Sequence, residues 1–184
     1  MNTINLIVSD FKKYKKYGGN FFTIVFFTQG FWAIFQYRIA SFCYSKITLF
    51  PFNFLVKIPL ILWQKHIEII TGISIPASAK IGHSFYIGHF GGIIFNANTV
   101  IGNNCNVSQG VTIGISGLNN RRGVPSIGNN VYIGANSVIA GKISIGDNVL
   151  IGACSLVNRT IEENAVVSGV PVQVISNEGS KGYI

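Results

Sequence analysis

The sequence predicts a mainly β fold, a parallel β-helix built of hexapeptide repeats, preceded by an apolar α-helical N-terminal segment. The first observation is a six-residue period that opens at Ile75 and is interrupted twice before Val157. The second is that the first 70 residues lack this period and are apolar and basic instead. The residues that open the repeats are Ile75, Ile81, Ile87, Phe95, Ile101, Val107, Ile113, Ile127, Ile133, Ile139, Ile145, Ile151 and Val157.

Glycine, asparagine and aspartate predict a corner in each repeat. Glycine often holds the second position, as at Gly82, Gly102 and Gly128, and the pairs Asn103-Asn104 and Asn129-Asn130 follow two of these glycines. Because these residues adopt positive φ at little cost, they suit a chain that turns every six residues.

Two inward positions in each repeat predict short strands. The first position is large and apolar, and the fifth is small or β-branched, as in Ala79, Cys105 and Val131. This spacing does not fit a helix, whose apolar stripe repeats at three and four. Short strands of this kind bury their side chains by stacking into a solenoid, with three repeats in a triangular coil of about eighteen residues.

Charge divides the chain into regions. Lys and Arg exceed Asp and Glu by 8 − 2 = +6 in residues 1–70 and by 6 − 4 = +2 in the remainder. We predict a basic, apolar helical segment at 1–70 and a β-helix domain at 71–176 with a loop insertion at 115–126. Residues 177–184 form a tail.

Composition narrows the function classes. The chain is 48% hydrophobic and 11% charged, so some apolar surface needs a partner. Three cysteines lie far apart without a CxxC pair, which predicts no metal site and thiols that stay reduced in the cytoplasm; we expect them to be small buried residues. The net charge of +8 comes without an aromatic and basic recognition motif, so nucleic acid is not the expected partner.

The repeat region resembles the hexapeptide-repeat acyltransferases. The segments TGISIPASAKIG, FYIGHFGGIIF, NVSQGVTIG and VVSGVPVQVI look like those of serine O-acetyltransferases and their polysaccharide O-acetyltransferase relatives. The resemblance implies a left-handed β-helix, a homotrimer with active sites between subunits, and acetyl-CoA as the acetyl donor.

His89 aligns with the catalytic histidine of that family. A neutral imidazole is suited to remove the proton of an attacking hydroxyl near neutral pH. Counting along the repeats places His89 over Gln109 of the next coil, and Gln109 either orients the imidazole, contacts the acceptor or only satisfies a polar neighbour. Asn106 is a weaker substrate-binding candidate near the same face.

Three departures bear on the acceptor. Where serine acetyltransferases carry two aspartates and a second histidine, this sequence has Gly88, Ser74 and Val124. The form His-Phe-Gly-Gly resembles acetyltransferases of capsule, exopolysaccharide and O-antigen assembly. We therefore expect O-acetylation of a sugar hydroxyl, with serine O-acetylation and a non-catalytic scaffold as the alternatives.

The donor site is expected beside small residues. By resemblance, Gly114, Ala135 and Ala153 hold the coenzyme contacts along a groove between subunits. Arg121 and Arg122 lie in the loop insertion, where they either contact substrate or coenzyme phosphates, or are solvated charges.

The N-terminal segment suggests a membrane surface. Residues 17–37 are uncharged, and Lys12, Lys13, Lys15 and Lys16 precede them. Interspersed polar residues and glycines favour interfacial helices, with the lysines facing anionic lipid, over one spanning helix. Burial against the trimer is the competing interpretation. We expect a cytoplasmic enzyme, peripheral on the inner face of the cell membrane, that meets a lipid-linked sugar there.

Overall fold

A computed structural model describes residues 1–46 and 52–184, apart from the side chains of residues 52–54 and Arg121. The N-terminal part is helical where it is described, and the rest is β-structure apart from one short 3₁₀ helix, Asn119–Arg121. The helices are α1 (Thr3–Lys16), α2 (Phe21–Phe27), α3 (Gln29–Lys46) and α4 (Phe52–Thr71).

The strands wind into a three-sided prism, which confirms the predicted β-helix. Each turn adds one short strand to each of three sheets, and neighbouring strands are parallel except for the last pair. The first face contains β1 (Ile73–Ser74), β4 (Ile93–Phe95), β7 (Thr112–Gly114), β10 (Val138–Ala140) and β13 (Leu156–Val157). The second contains β2 (Lys80–Ile81), β5 (Val100–Ile101), β8 (Ser126–Ile127) and β11 (Ser144–Ile145). The third contains β3 (Tyr86–Ile87), β6 (Asn106–Val107), β9 (Tyr132–Ile133), β12 (Leu150–Ile151), β14 (Val166–Ser168) and β15 (Gln173–Ser176).

The core of the prism is filled by the two inward positions of each repeat. All the residues predicted to open repeats, from Ile75 to Val157, are buried. Fifth-position residues such as Ala79, Cys105 and Val131 are buried beside them. Burial raises the pKa of the Cys105 thiol to about 11, so this cysteine is an inert core residue as expected. Cys43 is half-buried and Cys154 is exposed, however, so the expectation that each cysteine is buried was wrong for these two.

One corner of the prism is held by a ladder of asparagine side chains. Asn104, Asn130, Asn148 and Asn164 all have φ between 54° and 61°, as the corner prediction requires. Each of the first three donates from its amide nitrogen to the carboxamide oxygen of the next, at 2.8–3.0 Å. At the upper end of the ladder, Lys13 Nζ donates to Asn104 Oδ1 at 2.8 Å.

Helical side chains cap the first coil. β2 and β3 are edge strands, whose unpaired backbone groups need partners. The Tyr14 hydroxyl donates to Ile87 O and accepts from Ile87 N, at 2.9 and 3.2 Å. The Tyr37 hydroxyl likewise donates to Ala79 O and accepts from Ile81 N. The helices therefore replace the coil that would otherwise precede the first one.

A buried ion pair completes this cap. Arg38 Nε lies 2.8 Å from Asp10 Oδ2, and both side chains are almost fully buried. Arg38 also donates to the carbonyls of Ile81 and Gly82, and Asp10 accepts from Phe85 N. Because every charge has a partner, the pair joins α1 and α3 to the β-helix without leaving an isolated buried charge.

The N-terminal segment is divided into several helices, and the prediction made for Lys13 was wrong. Residues 17–37 form no single helix, because Gly18–Asn20 and Thr28 separate α1, α2 and α3. None of the described helices is both long and apolar enough to cross a bilayer. Lys12, Lys15 and Lys16 are exposed, but Lys13 is buried against Asn104, so the prediction that it faces lipid was wrong. Residues 47–51 of the predicted helical segment lie outside the described residues.

The tail runs back along the third face of the prism to the helices. Ser180 N donates to Asn148 O, and the Ser180 hydroxyl donates to Asn130 O. Tyr183 then packs against Tyr132, and Lys16 Nζ donates to Ile184 O at 3.3 Å. The tail therefore meets the C-terminal end of α1 on this face.

Replacing Asp10 by Ala should lower the free energy of unfolding by about 3–5 kcal/mol, because it leaves the Arg38 charge buried without its partner. The matched control is Lys65→Ala, which removes the exposed pair between Lys65 and Glu68 and should cost less than about 1 kcal/mol. Urea unfolding at one protein concentration measures both. Equal losses in the two variants would show that the buried pair does not anchor the cap.

Lys13 should make stability depend on pH. Burial lowers its pKa in the folded protein from the ordinary 10.5 to about 8. Below pH 8 Lys13 is protonated in both the folded and the unfolded protein, so folding must bury a charged ammonium group. Above pH 8 the unfolded chain binds more protons than the folded protein, so the free energy of unfolding rises with pH.

Between pH 7 and 9 the unfolding free energy of the wild type should therefore rise by about 1 kcal/mol relative to Lys13→Met. Urea unfolding at the two pH values checks this, with Lys12→Met as the exposed control that should behave as the wild type does. A parallel pH response in the wild type and Lys13→Met would contradict it.

Candidate functional site

The predicted site residues divide between two edges of the prism. The edge between the third and first faces carries His89, Gln109, Ala135 and Ala153, and the last three stack in one column below the turn that holds His89. Backbone hydrogen bonds run down this edge from Gly110 N to Gly91 O, Asn136 N to Gln109 O and Cys154 N to Ala135 O. The first of these bonds sets Gly91, rather than His89, directly above Gln109, because the two extra residues of this coil lie between Ile87 and Gly91.

His89 stands in an exposed turn at the top of this column. Its side chain is exposed, and no hydrogen bond reaches its imidazole from any residue in the ranges 1–46 and 52–184. Gly91 and Gly92, which follow it, both have positive φ. Gly91 N donates to Thr71 O, so the end of α4 fixes the turn from above. The imidazole is held on rigid backbone and is open to a ligand.

Gln109 and Asn106 have different surroundings. The Gln109 side chain is half-buried one coil below His89, within reach of the same edge. Asn106 is 4% exposed, and its amide nitrogen donates to the Tyr17 hydroxyl and to Tyr183 O. Asn106 therefore lies beneath the end of α1 and the tail and joins them. It is not accessible to a substrate.

Gly114 and the loop insertion lie on the other edge, between the first and second faces. Gly114 ends β7, and a methyl group built on it would touch only Thr112, at 3.8 Å. The loop is closed by a pair of backbone hydrogen bonds between Ser116 and Gly123. Arg122 is exposed on this loop, while the side chain of Arg121 lies outside the described residues. Within one chain the loop and His89 are on different edges.

Sequence reasoning missed a carboxylate near the entry to the β-helix. Glu68, on the last turns of α4, accepts hydrogen bonds from Ser74, Gln64 and Lys65 at 2.6–2.8 Å. These bonds outweigh the effect of its partial burial and lower the pKa of Glu68, so it is ionised at neutral pH. Ser74 is one of the positions where an aspartate was expected and missing. The available signal was that Glu68 and Asp10 are the only acids in the first 70 residues.

The arrangement suits proton transfer. In the part of the chain that the structure describes, no three His, Cys, Asp or Glu side chains lie close enough to hold a metal ion. An exposed imidazole beside a glycine turn can take a proton from a hydroxyl, and neighbouring backbone N–H groups can approach a developing oxyanion. The small side chains of Ala135 and Ala153 leave the lower part of the same edge open to a long ligand.

Comparison with known proteins agrees with this architecture. The family model described as bacterial transferase hexapeptide (six repeats) matches residues 125–159. Over 142 residues the chain is 38% identical to WcaB of Escherichia coli, a candidate colanic acid biosynthesis acetyltransferase; the match covers 77% of this chain and 87% of that protein. Over 152 residues it is 32% identical to the serine acetyltransferase of Synechococcus elongatus, covering 82% of this chain but only 58% of that enzyme.

A solved structure extends the likeness to the helices. A serine acetyltransferase in complex with CoA superposes with a TM-score of 0.80 and 28% identity, covering 95% of this chain and 70% of that one. The described helices and the β-helix thus share one arrangement with that enzyme, including the left-handed winding of the prism. On its repeats, its fold and these identities, the chain belongs to the hexapeptide-repeat acetyltransferase family.

Proposed function

We propose that this protein transfers an acetyl group from acetyl-CoA to a hydroxyl of a sugar in bacterial surface polysaccharide assembly. The observation that carries the proposal is an exposed imidazole, His89, at the top of a column of small residues on one edge of the prism. Transfer to the hydroxyl is direct, without a covalent enzyme intermediate.

His89 acts as the general base. Its imidazole takes the proton of the acceptor hydroxyl while the oxygen attacks the thioester carbonyl, and the proton then passes to the departing CoA sulfur. A backbone N–H of this turn other than that of Gly91, which bonds to Thr71 O, stabilises the oxyanion formed in between. Gln109, one coil below, orients the imidazole or contacts the acceptor. Asn106, being buried beneath the tail, is left out of this proposal.

The donor lies along the first face of the prism. Ala135 and Ala153 border this face on the His89 edge, and Gly114 borders it on the other edge. Their small side chains allow the pantetheine arm to approach the backbone. The likeness to a serine acetyltransferase solved with CoA supports acetyl-CoA as the co-substrate.

A homotrimer would bring the two edges together. The third face is covered by α1 and the tail, and the second presents Lys80. The outward column of the first face carries no charge and is mostly apolar, so it is the face best suited to contact another copy. Packing there sets the loop with Arg121 and Arg122 of one copy beside His89 of the next. The members of that column are Ser74, Ile94, Thr112, Val138 and Leu156.

A sugar is the preferred acceptor because Gly88 and Val124 stand where serine acetyltransferases carry an aspartate and a second histidine. By that resemblance, those two groups belong to the amino-acid site of these enzymes. The 38% identity to the colanic acid protein supports the same preference. One observation favours serine: Glu68, bonded to Ser74, brings a carboxylate next to a position where those enzymes carry one. Serine O-acetylation is therefore the second candidate. A site on the inner face of the cell membrane stays a prediction from sequence.

Replacing His89 by Ala should lower the rate of acetyl transfer by about 100- to 10,000-fold, because the base that removes the hydroxyl proton is lost. The control is His83→Ala, which removes a half-buried histidine from a different edge and should keep the wild-type rate. A thiol-release assay measures both, with L-serine and a panel of sugars offered separately. Full activity of His89→Ala would show that His89 is not the base. Robust turnover of serine without turnover of any sugar would show that the acceptor is not a sugar.

Replacing Gly114 by Ala should raise the KM for acetyl-CoA about tenfold without changing the unfolding free energy by more than about 0.5 kcal/mol. The fold has room for this methyl group, whose nearest neighbour is 3.8 Å away, so the loss reports on the donor. Steady-state kinetics with varied acetyl-CoA give the KM. The control Ser144→Thr adds a methyl group on the second face, away from the proposed donor site, and should leave the KM for acetyl-CoA unchanged. An unchanged KM in Gly114→Ala would place the donor elsewhere.

A further inference from the structure

An apolar groove of about 450 Å³ lies between the four helices. Every residue that lines it is aliphatic or aromatic, including Val8 and Phe11 of α1, Val25 of α2, Trp32 of α3 and Trp63 of α4. Its size is within the range of about 300–1,000 Å³ that is usual for small-molecule sites. Trp32 already donates its indole N–H to Val25 O at 2.7 Å, so it offers the groove only its apolar ring. The groove suits a hydrocarbon chain.

This groove adjoins the turn that carries His89. Phe31, in its wall, follows Gly30, whose backbone packs so closely on Ile87 O that a methyl group there would clash. Ile67, also in the wall, lies one turn before Thr71, whose carbonyl accepts from Gly91 N. Since His89 lies between Ile87 and Gly91, the helices that wall the groove contact both ends of the turn through Gly30 and Thr71.

Positive charge lies at the same end of the groove. Lys12 and Lys15 follow Val8 and Phe11 by four residues, so they share their face of α1, and both lysines are exposed. The C-terminal end of α1 lies over β3, because Tyr14 bonds to Ile87. The only two acids of the first 70 residues, Asp10 and Glu68, are both already paired with cations. These lysines therefore leave positive charge at the end of the groove that is nearest to β3.

We propose that the groove binds the hydrocarbon chain of an anionic glycolipid, in which the chain is joined through a phosphate to the sugar that is acetylated. The chain lies among the four helices, the phosphate beside Lys12 and Lys15, and the sugar hydroxyl at His89. This rests on the proposed acetyl transfer to a sugar and names the class of its acceptor. It also accounts for an apolar groove at this place in the molecule.

Farnesyl phosphate is the probe, because it combines a hydrocarbon chain with a phosphate and can be used below its micelle concentration. The protein has two tryptophans, Trp32 and Trp63, and both line the groove, so its intrinsic fluorescence reports on the groove alone. Binding should shift the tryptophan emission of the full chain to shorter wavelength with a saturable dependence on probe concentration. Inorganic phosphate and farnesol should bind at least about tenfold more weakly.

Two variants test the contacts and one controls them. Val8→Asp puts a charge in the groove wall, and the double change Lys12→Glu with Lys15→Glu reverses the charge at its end. Each should weaken farnesyl phosphate binding about tenfold or more. Ile4→Asp is the matched control, because Ile4 is 70% exposed on the same helix outside the groove, and it should bind as the wild type does.

Several outcomes would overturn the proposal. No response to farnesyl phosphate, or an equal response to farnesol, would show that the groove does not bind an anionic lipid chain. A response only to vesicles of phosphatidylglycerol and phosphatidylcholine assigns the groove to bilayer contact. A fall in molar mass of Val8→Asp by sedimentation, with no change on adding probe to the wild type, assigns it to a second copy of the chain.

The acetyl-transfer assay separates this proposal from the function on which it rests. Farnesyl phosphate binding without any acetyl transfer to sugars would sink the proposed function and leave the lipid site. Acetyl transfer to soluble sugars by a wild-type protein that does not bind farnesyl phosphate would support the proposed function and contradict the lipid site.

Discussion

The in-register stacking of one coil on the next is the constraint on which the rest of the structure depends. Each short strand pairs with the strands above and below it, so a side chain on one coil has a fixed neighbour on the next. Ile87, Val107, Ile133 and Ile151 follow one another in the core, and this brings His89, Gln109, Ala135 and Ala153 onto one outer edge. The turn that carries His89 is tied at its two ends by the bonds from Gly88 N to Val107 O and from Gly91 N to Thr71 O.

Such a stack has an open end, and the N-terminal helices close it. Hydroxyls of Tyr14 and Tyr37, together with the pair Asp10 and Arg38, satisfy the backbone groups of the first coil. His89 belongs to that same coil, so the residues that cap the prism also hold the turn that carries it. The helices bring an apolar groove and exposed lysines to the same place, so the proposed acceptor site depends on the contacts that stabilise the fold.

The repeat region could be predicted in detail from the sequence because its interactions are periodic. Counting residues was enough to identify the buried positions and the corners. The contacts of the helices could not be found in this way, since the bonds from Tyr14 to Ile87 and from Arg38 to Asp10 depend on how α1 and α3 dock. Lys13 looked like part of a solvated charge cluster, but the face of α1 on which it lies is turned to the prism.

The same limit applies to residues near the site. Asn106 has the spacing of a site residue, but the tail that covers it returns from the far end of the chain and has no repeat to mark it. Glu68 precedes the first repeat, and its bond to Ser74 follows from the angle at which α4 enters the prism. Both cases need tertiary contacts between segments that carry no shared period.

The most direct test of the account is a structure of the protein with CoA bound, read at the distance from the CoA sulfur to the His89 imidazole. We expect the sulfur within about 4 Å of a ring nitrogen, as direct transfer requires, with the pantetheine arm passing Ala135 and Ala153. A sulfur bound at another edge of the prism, remote from His89, would contradict the central claim and leave only the architecture.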